Sequence, residues 1–444
     1  MTATVVIDRT QIQPQLPASS PHLLERLKIR KPGATKSRVA GIDIARAVAM
    51  IGMLIAHTVL PQGGSGSSSG SNPSADAVVE AVPHALSWEF LAPLHELVSG
   101  RAQATFVILA GLMVGMMAMR ATTVSERWRL RKQLVIRGLI LMVIGVAMQA
   151  AGMAIVQILS VYGAYFLLSP LLLTLRRRTL LAASAAMALL GPATLLFATQ
   201  RGWMASIYGT VMNASSSSVS SSSGSSSIDY AARPDYWHNL ISTFWDNMAM
   251  QPAQTIFNGT YPLWPEIALF LFGMALGRTK LSSPTTARVL ALGGLAGIVT
   301  VPIFASMLTN AFPNNIYVSM LTDTAGHSGT TACLLYGMSV ASCVLGLALF
   351  AARHWPRATR PMALLGTWSL TFYLFHAFWL TAFHTYPFSI EIGIDTPTGW
   401  RQLVTLAMWV AIPSVVMVAA WATGRRGPAE ALLHSAATLA GRKR

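Results

Sequence analysis

The chain has 444 residues, 53% of them hydrophobic and 11% charged, with a formal net charge of +16. A charged share less than half the ~25% of ordinary soluble domains cannot clothe so much apolar surface, so a water-soluble globule is excluded. The positive charge falls in short runs between long apolar stretches, which marks membrane topology rather than a nucleic-acid partner.

Taken from the start, residues 1–38 form a polar tail ending in the basic run from Arg26 to Arg38. The first apolar run, Ile42–Leu60, is long enough to span a bilayer and lacks a small-residue cleavage site before the following loop. It is therefore expected to stay as the first helix. Further spans are expected at 102–119, 134–150, 155–175, 179–198, 263–279, 288–308, 331–351, 362–382 and 402–422. The third and fourth run together through a turn near Gln149–Gln157. The expected fold class is thus all-α: a polytopic membrane helix bundle of about ten transmembrane helices.

Lys and Arg set the orientation. With the N-terminus inside, 27 of the 32 fall in cytoplasmic segments, so both termini are expected in the cytoplasm (N-in/C-in). On this reading a transmembrane domain, 39–424, lies between basic cytoplasmic tails at 1–38 and 425–444. Two outer loops are long. Residues 61–100 contain the Gly-Ser-rich stretch 63–71, and residues 199–262 contain the Ser tract 215–227. Such tracts bury nothing and behave as flexible linkers. Cys333 and Cys343 share one apolar stretch, where a helix holds them ~15 Å apart. They form neither a disulfide framework nor a metal motif.

An ionisable side chain inside a span is costly and needs a reason. Asp43 and Arg46, three residues apart, meet on one helix face. The pair either locks the first helix or lets Arg46 receive an anionic ligand from the cytoplasm. Arg137 lies inside the third span, where snorkelling or a ligand phosphate satisfies it. The cationic collar of Arg120, Arg127, Arg129, Arg131 and Lys132 follows the positive-inside rule.

A second group gathers at the outer end. His57 lies ~21 Å beyond Asp43 along the first helix. His95 and Arg101 precede the second span, Tyr261 and Glu266 open the sixth, His327 precedes the eighth, and His376 sits in the outer half of the ninth. Each histidine alone reads most simply as a hydrogen-bonded structural residue. Together they point to one polar outer cavity suited to proton transfer or acyl capture. Gly111 and Gly115, four apart, read as a close helix contact.

The run from Arg38 through Asp43 and Arg46 to His57 resembles the opening helix of membrane acyltransferases typified by heparan-α-glucosaminide N-acetyltransferase. That pattern is R-x-x-x-D-x-x-R-G before an apolar helix with a polar end; Ala47 stands where Gly is usual. Gly100–Gly111, Tyr261–Glu266 running to Arg278, His327–Thr330 and Leu370–His376 resemble bacterial members in the same order. The resemblance implies transfer of an acetyl or other short acyl group from cytosolic acyl-CoA to a hydroxyl or amine of an extracytoplasmic glycan or lipid. By similarity His57 falls at a functional Asn; the catalytic histidine of the outer loop is answered by His84 or, with the better distance to the second helix and therefore preferred, His95, and His376 is a further candidate. Asp43, Arg46 and Arg137 then line the acyl-CoA path. Arg101, Tyr261, Glu266 and His327 contact the acceptor or the oxyanion. No permanently bound cofactor and no metal is expected; acyl-CoA is a co-substrate. The expected partners are the lipid bilayer, acyl-CoA and a glycan or glycolipid acceptor, with no nucleic acid and with room for a homodimer. The expected location is the bacterial plasma membrane. The rival reading is a transporter or exporter of a small molecule or envelope lipid.

Overall fold

A computed structural model describes residues 39–58, 96–150, 158–200, 262–385, 398–424 and 426–440. The described residues form helices and no strand. These are α1 (Ala40–Thr58), α2 (Arg101–Arg120), α3 (Val124–Ala150), α4 (Leu159–Leu172), α5 (Arg177–Gln200), α6 (Leu263–Leu276) and α7 (Pro284–Ala311). They continue as α8 (Ile316–Thr322), α9 (Thr331–His354), α10 (Arg360–Thr367), α11 (Ser369–Thr385), α12 (Thr398–Thr423) and α13 (Pro428–Ala440). Every expected span overlaps a helix, the ninth being split between α10 and α11.

Among the described residues, five helices can cross a membrane by length and composition, or up to seven if each of two bent pairs is one span. α4 and α6 are apolar but shorter. The bent pairs are α10 with α11, at 75°, and α12 with α13, at 55°. These are the proportions of a multi-pass membrane protein. The exterior agrees, because α7 turns Leu292, Val299, Phe304 and Met307 outward, each more than half exposed. Such a face needs a hydrocarbon solvent.

The helices that carry the site are drawn together by backbone contact. On α2 a Cβ at Gly111 would overlap the carbonyl of Phe270, and one at Gly115 the carbonyl of Met274. On α6 a Cβ at Gly273 would overlap the carbonyl of Ile108, and one at Gly277 that of Leu112. Two small-x-x-x-small motifs thus interlock, the means by which membrane helices approach closely without a hydrophobic driving force. The contact expected at Gly111 and Gly115 is present, and its partner is Gly273–Gly277.

α1 is held in the same way. A Cβ at Gly41 would lie 2.7 Å from the Leu349 Cα on α9. One at Gly366 on α10 would collide with the Asp43 carbonyl. Beyond the break at Trp368, Glu430 of α13 caps the start of α11. It accepts from the Leu370 and Thr371 amides at 2.6 and 3.2 Å and from the Thr371 hydroxyl at 2.6 Å. The residues read as a C-terminal tail therefore include a helix that fixes α11.

Candidate active site

His57 stands in the last turn of α1 and His376 in α11. Nδ1 of His57 lies 3.3 Å from Nε2 of His376, and the two rings are 7° from parallel with centroids 5.5 Å apart. The ring centres are much further apart than the two nitrogens, by about the depth of both rings. Both nitrogens therefore lie on the line between the rings. The contact is an in-line N–H···N bond and not a face-to-face stack.

The direction of that bond follows from its far end. Nδ1 of His376 is 3.3 Å from the carbonyl of Phe372, which can only accept. With both rings neutral, His376 carries its proton on Nδ1 and offers the Nε2 lone pair. His57 then donates from Nδ1, and its own Nε2 is left as a base. One fully buried ring sets the tautomer of another, the arrangement in which an orienting group readies a general base.

His57 lines a cavity of about 60 Å³ with Met53, Gln103, Ile158, His327 and Tyr373. The cavity has room for water or for a small ligand group. Gln103 is buried and donates from Nε2 to the buried Glu266 carboxyl at 2.6 Å. That contact fixes the amide and leaves its second N–H for a ligand. The Tyr373 hydroxyl accepts from the Ile158 amide at 3.5 Å.

His327 enters the wall on a loop in an unusual backbone state. Its φ of +67° is left-handed, a region that non-glycine residues seldom occupy and that clusters at functional sites. Gly100 faces it with φ +70°, and a Cβ there would lie 2.7 Å from the Gly326 Cα. Arg101 closes the joint. Its guanidinium donates to the carbonyls of Ser99, at 2.7 Å, and Thr324, at 2.5 Å, and stacks over the Tyr336 ring at 4.8 Å. Burial, and then the charge of Arg101, hold the His327 imidazole down to about 4.

The sequence-predicted residues thus divide. His57 and His327 share the cavity, His376 stands directly behind His57, and Glu266 behind Gln103. Arg101 clamps the loop and does not line the cavity. Asp43 and Arg46 are paired at 3.0 Å, with Asp43 buried. Arg137 directs Nη1 at the Met117 sulfur, 3.6 Å away. His95 and Tyr261, like His84, lie outside the described residues.

Gln103 and Tyr373 were not singled out by sequence reasoning, although both fall inside the motifs that carry the resemblance. An uncharged amide in the first turn of an apolar span, two residues after Arg101, was the available signal for the first. Two more polar groups lie deeper. The hydroxyls of Tyr162 and Tyr165 are buried without a hydrogen-bond partner among the described residues.

No protein-family model, curated protein or solved structure matches the chain.

Proposed function

We propose that the chain is a multi-pass acyltransferase of the heparan-α-glucosaminide N-acetyltransferase-like kind. It would cross a bacterial plasma membrane about ten times with both termini inside. It moves an acetyl or similarly short acyl group from cytosolic acyl-CoA to a hydroxyl or amine of an extracytoplasmic glycan or lipid. The observation that carries this reading is the Nε2 of His57, left as a base at a small cavity by its bond to His376.

The chemistry runs through a ternary complex. His57 Nε2 takes the acceptor proton as the acceptor oxygen or nitrogen attacks the thioester carbonyl. The free N–H of Gln103 is the donor for the oxygen on which charge develops. Collapse of the tetrahedral intermediate breaks the C–S bond, and the CoA thiolate recovers the proton from His57. The donor arm approaches past Arg46, with the buried hydroxyls of Tyr162 and Tyr165 available to its amides. Those same hydroxyls favour the second reading, export of a small polar molecule, since a solute passage also needs polar groups in the core.

The test is acyl transfer itself. Purified protein in nanodiscs receives labelled acetyl-CoA and an envelope glycan and lipid extract, and a deletion strain is compared with its parent by mass spectrometry of envelope acyl groups. Acceptor-dependent release of CoA and one missing acylated species support the enzyme. Solute flux without any CoA release supports the exporter.

A further inference from the structure

At the end of α2 away from the histidine cavity, a recess of about 380 Å³ opens between Arg127 of α3, Arg176 and Arg177 at the start of α5, and Arg278 after α6. A neighbouring recess of about 570 Å³ shares Arg176 and Arg177 and adds Arg178. Met119 lines the first recess and Gly100 the cavity, and 19 residues of helix separate them by ~28 Å. We propose that this recess is a binding site for a phosphate-bearing ligand.

Four guanidinium groups from three elements converge on the recess, and no acidic residue lines it. Two are fixed by backbone bonds. Arg278 donates from Nη2 to the carbonyls of Leu172 and Leu173, at 3.3 and 3.0 Å. Arg127 donates from Nε to the carbonyl of Ala121 at 3.2 Å. The nearby carboxylate of Glu126 is taken up by the amides of Thr122 and Thr123, at 2.9 and 3.1 Å. Among the described residues, no carboxylate lines the recess to neutralise the cluster.

The placement of the arginines is against local preference. α5 begins at Arg177, and the Leu180 amide bonds to the carbonyl of Arg176. The residue at the N-cap is thus an arginine, which has no side-chain acceptor for the first-turn amides. Cations at a helix N-terminus are also disfavoured by its dipole. Charge meant only to set topology would be cheaper almost anywhere else on this face. An anion in the recess satisfies the amides and the guanidinium groups together, as bidentate phosphate contacts do.

The ligand is a soluble phosphate ester or an anionic lipid headgroup, which share this chemistry. Inorganic pyrophosphate is titrated into the full chain in detergent by calorimetry. In parallel, nanodiscs of phosphatidylglycerol or phosphatidylcholine are used as competitors. The expected result is saturable pyrophosphate binding that weakens with salt. Arg176→Gln/Arg177→Gln should lower its affinity at least 10-fold, while Arg129→Gln/Lys132→Gln, beyond the recess, should leave it unchanged. Displacement by phosphatidylglycerol alone assigns the lipid source; binding unaffected by it assigns the soluble one. The proposal is overturned if neither pyrophosphate nor phosphatidylglycerol binds, or if the two double variants lose affinity equally. Pyrophosphate carries no acyl group, so the outcome is separate from whether the chain transfers one.

Discussion

Nδ1 of His57 donates to Nε2 of His376 across 3.3 Å, along the line joining two nearly coplanar rings. If that bond readies His57, then His57→Gln should lower turnover by about 10²–10⁴. His376→Leu should also lower turnover and shift its pH profile, whereas His376→Gln, whose amide can accept from His57 and donate to Phe372, should restore part of it. Equal rates for the Leu and Gln variants would show that His376 only fills space.

The glycine contact between α2 and α6 makes a prediction about stability. Gly111→Val and Gly273→Val push a side chain into backbone, which cannot rotate away, and each should cost at least the ~1–3 kcal/mol of an overpacked core. Gly293 on α7 meets nothing within 4 Å, so Gly293→Ala should be neutral or gain up to ~1 kcal/mol from helix propensity. Thermal unfolding in detergent separates the cases. A Gly111→Val protein as stable as the parent would mean the helices do not touch as described.

Asp43 is 4% exposed and paired with Arg46 at 3.0 Å. Removing one member of such a pair strands a buried charge at a cost of ~3–5 kcal/mol. Asp43→Ala should therefore disappear from membranes, and Asp43→Ala/Arg46→Met should recover. Quantitative blotting of membrane fractions decides it. Well-expressed Asp43→Ala and Arg46→Ala that lose only acyl-CoA binding would make the pair a ligand contact.

His327 makes stability depend on pH. Its folded imidazole is held to about 4 by burial and then by Arg101, from an ordinary value of 6.5. Between those values the unfolded chain takes up a proton that the folded chain refuses. The stability present above pH 6.5 is therefore lost as pH falls toward 4, by ~3 kcal/mol at most. His327→Asn, which tolerates the left-handed backbone, should flatten that fall in thermal unfolding measured from pH 7.5 to 4.5. An unchanged slope would mean that His327 is not the titrating group.

Much of the helical layout was legible, because long apolar runs and basic punctuation are one-dimensional signals. The extents of α1, α2 and α9 follow from them within a few residues. Of the residues expected at the outer end, His57 shares a cavity with His327 and a bond with His376, while His95 and Tyr261 lie outside the described residues. Partnership was not legible. Nothing in the spacing of Arg101 tells that its guanidinium is spent on the carbonyls of Ser99 and Thr324. Nothing local marks Gln103 as the holder of Glu266, or Glu430 as the cap of α11 from 60 residues away. Those contacts depend on which helices adjoin and how each is rotated. The break at Trp368 was hidden because the apolar run continues through it.

The central claim is that His57 is the base of an acyl transfer from acyl-CoA. It is tested most directly by single-turnover mixing of nanodisc-embedded protein with acetyl-CoA, with and without the envelope acceptor extract, while free CoA is followed. The account predicts CoA release that requires acceptor and falls by at least ~10² in His57→Gln, with binding of acetyl-CoA retained. A stoichiometric burst of CoA without acceptor would replace direct transfer by an acyl-histidine route. Release unaffected by His57→Gln, or no release from the wild-type protein, would contradict the claim.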